Sequence, residues 1–155
     1  MKISASVKIL LSIFFLLAVP ISCKKKEIAI VKKDNTAEVK RLTIIGDNYF
    51  ESYNFKDAYP VYKKLISLAD PEKNRIDYVD AMLSISFIQQ FDGNYLESEA
   101  TATKVLPHLK YLKKPRFAWE TYKIFATNYL ATKDYDNALI YAKKAYNLNT
   151  TVRRK

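Results

Sequence analysis

Few side chains of this sequence are of the types that perform catalysis. The chain has one histidine, His108, and one cysteine. These are too few to build a metal site from several histidine and cysteine ligands. Candidate carboxylate pairs, such as Glu97 with Glu99 and Asp134 with Asp136, are i, i+2 neighbours that point to different faces of a helix. No glycine-rich phosphate loop accompanies them. We therefore expect a protein that is not an enzyme and that holds neither a metal nor a cofactor.

The elements that carry these residues are expected to be helices. The 155 residues are 49% hydrophobic and 27% charged, which is the composition of a chain that folds. They include only 2 glycines and 5 prolines, too few for the many tight turns of a β-sandwich or β-barrel. The composition therefore favours one all-α domain.

Residues 1–22 are predicted to be an export signal. Two lysines, Lys2 and Lys8, precede an apolar run from Ile9 to Ile21, and the stretch contains no acidic residue. A helix needs roughly 20 residues to cross a bilayer, and this run is shorter. A permanent span is therefore the poorer interpretation.

The cysteine behind the apolar run is the predicted anchor. Cys23 follows the small residue Ser22 and precedes three lysines. This arrangement resembles a bacterial lipoprotein signal, although Pro20 stands where that family usually has an aliphatic residue. The resemblance implies that Cys23 becomes the first mature residue and carries a diacylglyceryl group; the alternative is an unmodified thiol. We expect residues 23–38 to be a lipid anchor and polar tether at the bacterial cell envelope, facing the periplasm or the cell surface.

The chain is basic, with a formal net charge of +10. Its lysines and arginines are spread along the sequence, and an exported protein seldom meets nucleic acid. We therefore expect solvated helical faces and no nucleic-acid partner. The lesser alternative is attraction of the lysines behind the anchor to anionic lipid headgroups: Lys24, Lys25, Lys26, Lys32 and Lys33.

From Val39 onward, residues of similar kind recur every 40 positions. The small residues Gly46, Ser86 and Ala126 recur in this way, as do Ala58, Ser98 and Ala138. Helix N-caps are expected at Asn54, Asn94 and Asp134. Tyrosines at repeat-core positions are expected in the core rather than on a stacking surface: Tyr49, Tyr62, Tyr95, Tyr122, Tyr129 and Tyr135. Each unit is predicted to be a hairpin of two closely crossing helices, and about three such units are the minimum for a stable array.

The predicted domain spans residues 39–155, with units at about 39–70, 79–110 and 119–150. Helices are predicted over residues 39–52, 55–69, 73–91, 95–109, 116–131 and 135–148. Pro60 is expected to kink its helix and Pro107 to end its helix early, because proline lacks the backbone N–H group. Pro71 and Pro115 are expected at helix starts.

These units resemble tetratricopeptide repeats. The first unit matches the family's motif at Ile45, Gly46, Tyr49, Phe55, Ala58, Tyr62 and Leu65. The last unit matches at Tyr135, Asn137, Ala138, Leu139, Ala142 and Ala145. The family's period is usually about 34 residues, so the units of this chain are longer. The resemblance implies a right-handed α-α superhelix of three hairpins that binds a protein or peptide in a concave groove.

The groove positions implied by the resemblance lie on the first helix of each unit. They are Lys40, Thr43, Asp47, Phe50, Asp80, Leu83, Phe87, Gln90, Lys123 and Thr127. The family's best-known groove clamps a C-terminal carboxylate with Lys, Arg and Asn side chains. The matching positions here hold Thr43, Asp47, Ser84, Glu120 and Ile124, so that clamp is absent. We expect a mixed apolar and acidic groove that suits a basic or amphipathic peptide.

The last hairpin is followed by six residues after Asn149, so no capping helix is expected for it. A partner protein or a second copy in a homodimer would then cover it, or the chain would be the front of a longer protein. The leading hypothesis is a non-enzymatic scaffold, anchored at the envelope, that binds a protein or peptide. The alternative is the exported sensory region of a histidine kinase or transcriptional regulator, truncated before its effector module.

Overall fold

The structure is a computed structural model that describes residues 34–153, with side chains described for residues 34–148. All regular elements of this range are helices, which confirms the all-α prediction. They are α1 (Thr36–Glu51), α2 (Phe55–Leu68), α3 (Arg75–Phe91), α4 (Tyr95–Thr103), α5 (Leu106–Leu109), α6 (Pro115–Ala131) and α7 (Tyr135–Arg153). The predicted export signal and Cys23 lie outside the described residues. A search of residues 34–153 finds no helix with the length and apolar character needed to cross a membrane.

Three of the connections between helices are the same tight turn, and they recur at the spacing of the sequence repeat. The turn residue with positive φ is Tyr53 (57°), Gly93 (80°) or Lys133 (64°). In each turn the next residue donates its N–H group to the carbonyl five positions earlier, at distances of 2.9, 2.8 and 2.8 Å. This pattern is a Schellman motif, which ends one helix and reverses the chain. The recurrence in the sequence is therefore a recurrence of helix–turn–helix pairs.

The helices pack as three such pairs in chain order. α1 packs on α2, α3 on α4, and α6 on α7, while α3 also contacts α1 and α2, and α6 also contacts α3 and α4. Two buried clusters form the core, one between the first two pairs and one between the last two. The first helices of the pairs, α1, α3 and α6, therefore lie side by side.

Small residues occupy the points where paired helices cross. A Cβ atom added to Gly46 would lie 2.6 Å from the Tyr62 ring, so α1 and α2 approach too closely for a larger residue. In the second pair, the Ser86 and Ser98 hydroxyls each donate to the other's backbone carbonyl, at 2.7 and 2.8 Å. The third crossing has Ala138, which is buried. The contacts in the first two pairs bear out the expected close crossing there.

The predicted helix N-caps differ in chemistry. Asp134 accepts a hydrogen bond from the Asn137 backbone N–H group at 3.2 Å, as an N-cap carboxylate does. Asn54 and Asn94 precede their helices as predicted but make no side-chain cap hydrogen bond. Asn54 instead donates to Asp57 at 2.8 Å.

Several boundaries differ from the prediction. Helix α1 begins at Thr36, so the predicted tether ends earlier than residue 38. The predicted helix 95–109 is two helices, because α4 ends at Thr103 and α5 begins at Leu106. Pro115 starts α6 as expected, whereas Pro71 lies in the turn before Arg75.

Pro60 does not end its helix, and the tyrosines divide between the core and the surface. Helix α2 continues through the exposed Pro60 to Leu68. Tyr62 is fully buried, and Tyr122 and Tyr129 pack against the core. Tyr49 and Tyr135 are instead 37% and 63% exposed, because they lie on outer faces of their helices.

Candidate functional site

The first helices of the three pairs line a concave groove of about 390 Å³, a volume typical of ligand sites. We call this surface the acidic groove. Six of the ten residues predicted for a groove line it: Asp47, Phe50, Asp80, Leu83, Phe87 and Lys123. Its other lining residues are Glu51, Tyr62, Ser84, Arg116, Trp119, Glu120 and Ile124. The side chains therefore include four carboxylates and two cations.

Arg116 joins two of the carboxylates across neighbouring helices. Its Nη2 atom donates to both carboxylate oxygens of Asp80 on α3, at 2.9 and 2.8 Å. Its Nη1 atom lies 3.5 Å from Glu120, one turn later on α6. These side chains are partly exposed, so the ion pairs contribute about 1 kcal/mol or less to stability. Their main consequence is to hold two carboxylates on one side of the groove.

Burial dominates the protonation of these two carboxylates. It raises the pKa of Asp80 above its ordinary value, although Arg116 acts in the opposite direction. Burial likewise raises the pKa of Glu120, again against the effect of Arg116. The guanidinium of Arg116 therefore does not fully offset the rise in pKa that burial causes in the two carboxyl groups.

A third carboxylate is held by a tyrosine. The Tyr62 hydroxyl donates to Asp47 Oδ1 at 2.7 Å. Burial, followed by this hydrogen bond, raises the pKa of Tyr62, so the hydroxyl stays protonated at neutral pH. Tyr62 is 1% exposed, so the surrounding core holds its ring in place. Its hydroxyl therefore holds the Asp47 carboxylate at a fixed position.

Aromatic side chains form the apolar part of the groove. The Phe50 and Phe87 rings pack edge to face with centroids 5.4 Å apart. On the other side, Lys123 Nζ lies 5.0 Å from the centroid of the Trp119 ring, within the range of a cation–π contact. The groove thus combines apolar rings with carboxylates.

Four residues predicted for the groove lie elsewhere. Thr43 and Gln90 are in contacts between pairs, since Thr43 donates to Asp77 at 3.2 Å and Gln90 donates to Asn128 at 2.7 Å. Lys40 is exposed on α1 and does not line the groove. Thr127 lines a second surface, which α6 forms with α7.

Four residues line the groove without being among the positions that the resemblance implies: Glu51, Tyr62, Arg116 and Trp119. Ser84, Glu120 and Ile124 line the groove at positions that match the family's carboxylate clamp. Glu120 occupies the same repeat position as Asp80, so the repeat contained a signal for it. Trp119 occupies the same repeat position as Val79, which is fully buried, so the repeat predicts a core position instead.

The histidine lies in a packing environment. The His108 ring is 5.4 Å from the Tyr78 ring between centroids. Burial and the nearby Arg75 lower its pKa, which favours the neutral imidazole. Within residues 34–153, no group of three or more His, Cys, Asp or Glu side chains is arranged to hold a metal ion.

Comparison with known proteins assigns no family to this arrangement. No protein-family model, curated protein or solved structure matches the chain. We therefore infer function from the geometry and charge of the acidic groove.

Proposed function

We propose that this chain is a non-enzymatic scaffold of tetratricopeptide-like repeats that binds a protein or peptide segment in the acidic groove. The observation that carries the proposal is that α1, α3 and α6 together line one groove with four carboxylates, two cations and several aromatic rings. A groove formed by the first helices of successive pairs is how helical repeats receive extended segments. The finer proposal is that the three pairs wind as a right-handed superhelix.

The charge of the groove favours a segment with a lysine or arginine. The chain as a whole has a formal net charge of +10, yet carboxylates outnumber cations in the groove by four to two. An incoming cation would lie near Asp80 and Glu120, whose charged forms are disfavoured by burial. The rings of Phe50, Phe87 and Trp119 would accept the neighbouring apolar side chains.

The binding test uses three short peptides that differ at one position. Lysine, glutamine or glutamate stands there between flanking leucines, and calorimetry measures the affinity of each for the purified protein. We expect the lysine peptide to bind best, and the Glu120→Gln variant to bind it about tenfold more weakly. Glu97→Gln is the matched control, because Glu97 is exposed on α4 outside the groove. Equal affinity for the lysine and glutamate peptides would refute the proposal.

We also propose that Cys23 anchors the protein at the bacterial envelope through a lipid. The support is the sequence of residues 1–26, with its lysines, short apolar run and following cysteine. Intact mass spectrometry of the protein extracted from membranes tests this. The expected mass is that of a chain beginning at Cys23 with added acyl groups, and Cys23→Ser should move the protein to the soluble fraction. A membrane-extracted protein with an unmodified Cys23 would contradict the anchor, and a larger polypeptide would favour the receptor alternative.

A further inference from the structure

The last pair of helices presents an exposed apolar surface, which we call the end face. The shallow groove on this face has a volume of about 500 Å³. Leu130, Tyr135 and Leu139 on this face are 58%, 63% and 55% exposed. The residues that line it are Lys123, Ala126, Thr127, Leu130, Tyr135, Ala138, Leu139, Ala142 and Ala145.

The equivalent surface of the first pair is covered by helix α3. Phe50 and Phe55, which occupy the repeat positions of Leu130 and Tyr135, pack against the Phe87 ring at 5.4 and 5.9 Å. Thr43, which occupies the repeat position of Lys123, donates to Asp77 in the first turn of α3 at 3.2 Å. Tyr62, the counterpart of the exposed Ala142, is 1% exposed.

The equivalent surface of the second pair is covered by helix α6 in the same way. Gln90, the counterpart of Leu130, donates to Asn128 at 2.7 Å. Glu99, the counterpart of Leu139, accepts a hydrogen bond from the Tyr129 hydroxyl at 2.5 Å. Twice within this chain, therefore, the surface equivalent to the end face receives a helix.

The repeat also indicates the chemistry of the helix that the end face would receive. A helix docked as α3 docks would place its counterpart of Asp77 opposite Lys123, which replaces Thr43. A carboxylate there would complement the ammonium group. On α3, Ala81, Ile85 and Ile88 are 0%, 3% and 2% exposed. Their counterparts on the docked helix would contact the leucines and alanines of the end face.

We propose that the end face is a docking site for an amphipathic helix of a partner protein, with an acidic side chain in its first turn. The apolar residues of that helix follow the spacing of Ala81, Ile85 and Ile88. Lys123 lines both the end face and the acidic groove, whereas Leu130 and Leu139 line the end face alone, so variants of these leucines test this proposal by itself.

A second copy of this chain is a poorer occupant. Head-to-tail stacking would bring α1 of the second copy to the end face, and α1 has Ala37 at the position of Asp77. At the positions of Ala81 and Ile88 it has the exposed Arg41 and Asn48. Arg41 is also paired with Glu38 at 2.7 Å. Helix α1 is therefore polar at two of the three positions where α3 is apolar, the third being Ile45.

The experiment uses a labelled helical probe peptide and fluorescence anisotropy. The probe keeps Asp77, Ala81, Ile85, Ile88 and Phe91 of α3 at their spacing, with alanine and glutamine elsewhere. We expect it to bind the purified protein about tenfold more tightly than a matched probe with lysine in place of the aspartate. The Leu139→Glu variant should weaken binding of the acidic probe by tenfold or more.

The control variant is Leu96→Glu, because Leu96 is 74% exposed on α4 and lies outside the end face. Leu130→Glu gives a second test on the end face, and circular dichroism checks that each variant is folded. Equal binding of the two probes, or unchanged binding by both folded end-face variants, would overturn the proposal. So would sedimentation of the free protein as a dimer that Leu139→Glu converts to monomer, since the occupant would then be a second copy. Loss of lysine-peptide binding in the acidic groove without loss of probe binding would count against the groove only.

Discussion

At the residue scale, Gly46 links the packing of the first pair to the acidic groove. A Cβ atom at this position would lie 2.6 Å from Tyr62 Cε1, and Tyr62 is fully buried with its hydroxyl bound to Asp47. The ring therefore has little freedom to move away. A side chain at Gly46 would displace either helix α2 or the tyrosine that positions a groove carboxylate.

We predict that Gly46→Ala lowers the free energy of unfolding by about 1–3 kcal/mol, as overpacking of a core does. Urea denaturation measures this. The double variant with Tyr62→Leu should show a smaller cost for the alanine, because the leucine has no ring at that position. Additive effects of the two substitutions would show that Tyr62 is not the obstacle.

The two partly buried carboxylates of the groove predict how peptide binding depends on pH. The pKa values of Asp80 and Glu120 are raised by burial, with Arg116 opposing this for both. A raised pKa means that protons bind on acidification at a higher pH than for ordinary carboxylates. Protonation removes the negative charge that attracts a lysine.

We therefore predict that affinity for the lysine peptide is greatest at neutral pH and falls as the pH is lowered through these raised pKa values. Calorimetry at a series of pH values measures it. The Asp80→Asn, Glu120→Gln variant should show weaker binding and a smaller pH dependence. A wild-type affinity that rises on acidification would contradict the assignment of these carboxylates to binding.

At the element scale, the three Schellman turns differ in the residue that adopts positive φ. Gly93 adopts it without strain, and a Cβ atom there would meet no atom within 4 Å. Lys133 adopts φ of 64° with a side chain, which costs about 1–2 kcal/mol in this region. Of the three turns, one therefore has a residue suited to positive φ, and the other two have Tyr53 and Lys133, which are not.

We predict opposite effects of exchanging these residues. Gly93→Ala should lower the free energy of unfolding by about 1 kcal/mol, and Lys133→Gly should raise it by roughly 0.5–1 kcal/mol, the gain being reduced by the greater entropy of unfolded glycine. Urea denaturation of the two single variants is the measurement. A destabilising Lys133→Gly would show that the lysine side chain contributes more than the turn geometry costs.

The helix starts and turns could be predicted from sequence because local chemistry specifies them. Asn94 and Asp134 precede apolar-periodic runs, and helices begin directly after them. The break in the helix that starts at Tyr95 was predicted near Pro107, but the helix ends one turn earlier, at Thr103. Pro107 has no N–H group to donate to the Thr103 carbonyl, and its ring would clash there, so the chain changes to shorter hydrogen-bonded turns at Lys104 and Val105.

At the scale of the whole molecule, the two ends of the described array differ. Helix α1 presents Arg41, paired with Glu38, and Asn48 at the positions where α3 and α6 contact the preceding pair. The opposite end presents Leu130 and Leu139. The α1 end therefore has polar side chains at these two positions, and the opposite end has an apolar surface suited to a helix.

The acidic groove could be predicted only in part, because it depends on how whole helices pack. Asp47 and Asp80 follow from their positions on the first helices of the units. Trp119 occupies the repeat position of Val39 and Val79, which are both fully buried, so its place in the groove follows from the packing of α6 and not from the repeat. Arg116 is likewise placed by the contact between α3 and α6, through its hydrogen bonds to Asp80.

The measurement that tests the central claim most directly is the fluorescence of Trp119 during a peptide titration. It is the only tryptophan of the chain and it lines the acidic groove, so its emission reports on that site. We predict a saturable shift of the emission with the lysine peptide, and none with the matched glutamate peptide at the same concentrations. Binding of the lysine peptide by calorimetry without any change in tryptophan emission would place the peptide elsewhere and contradict the account.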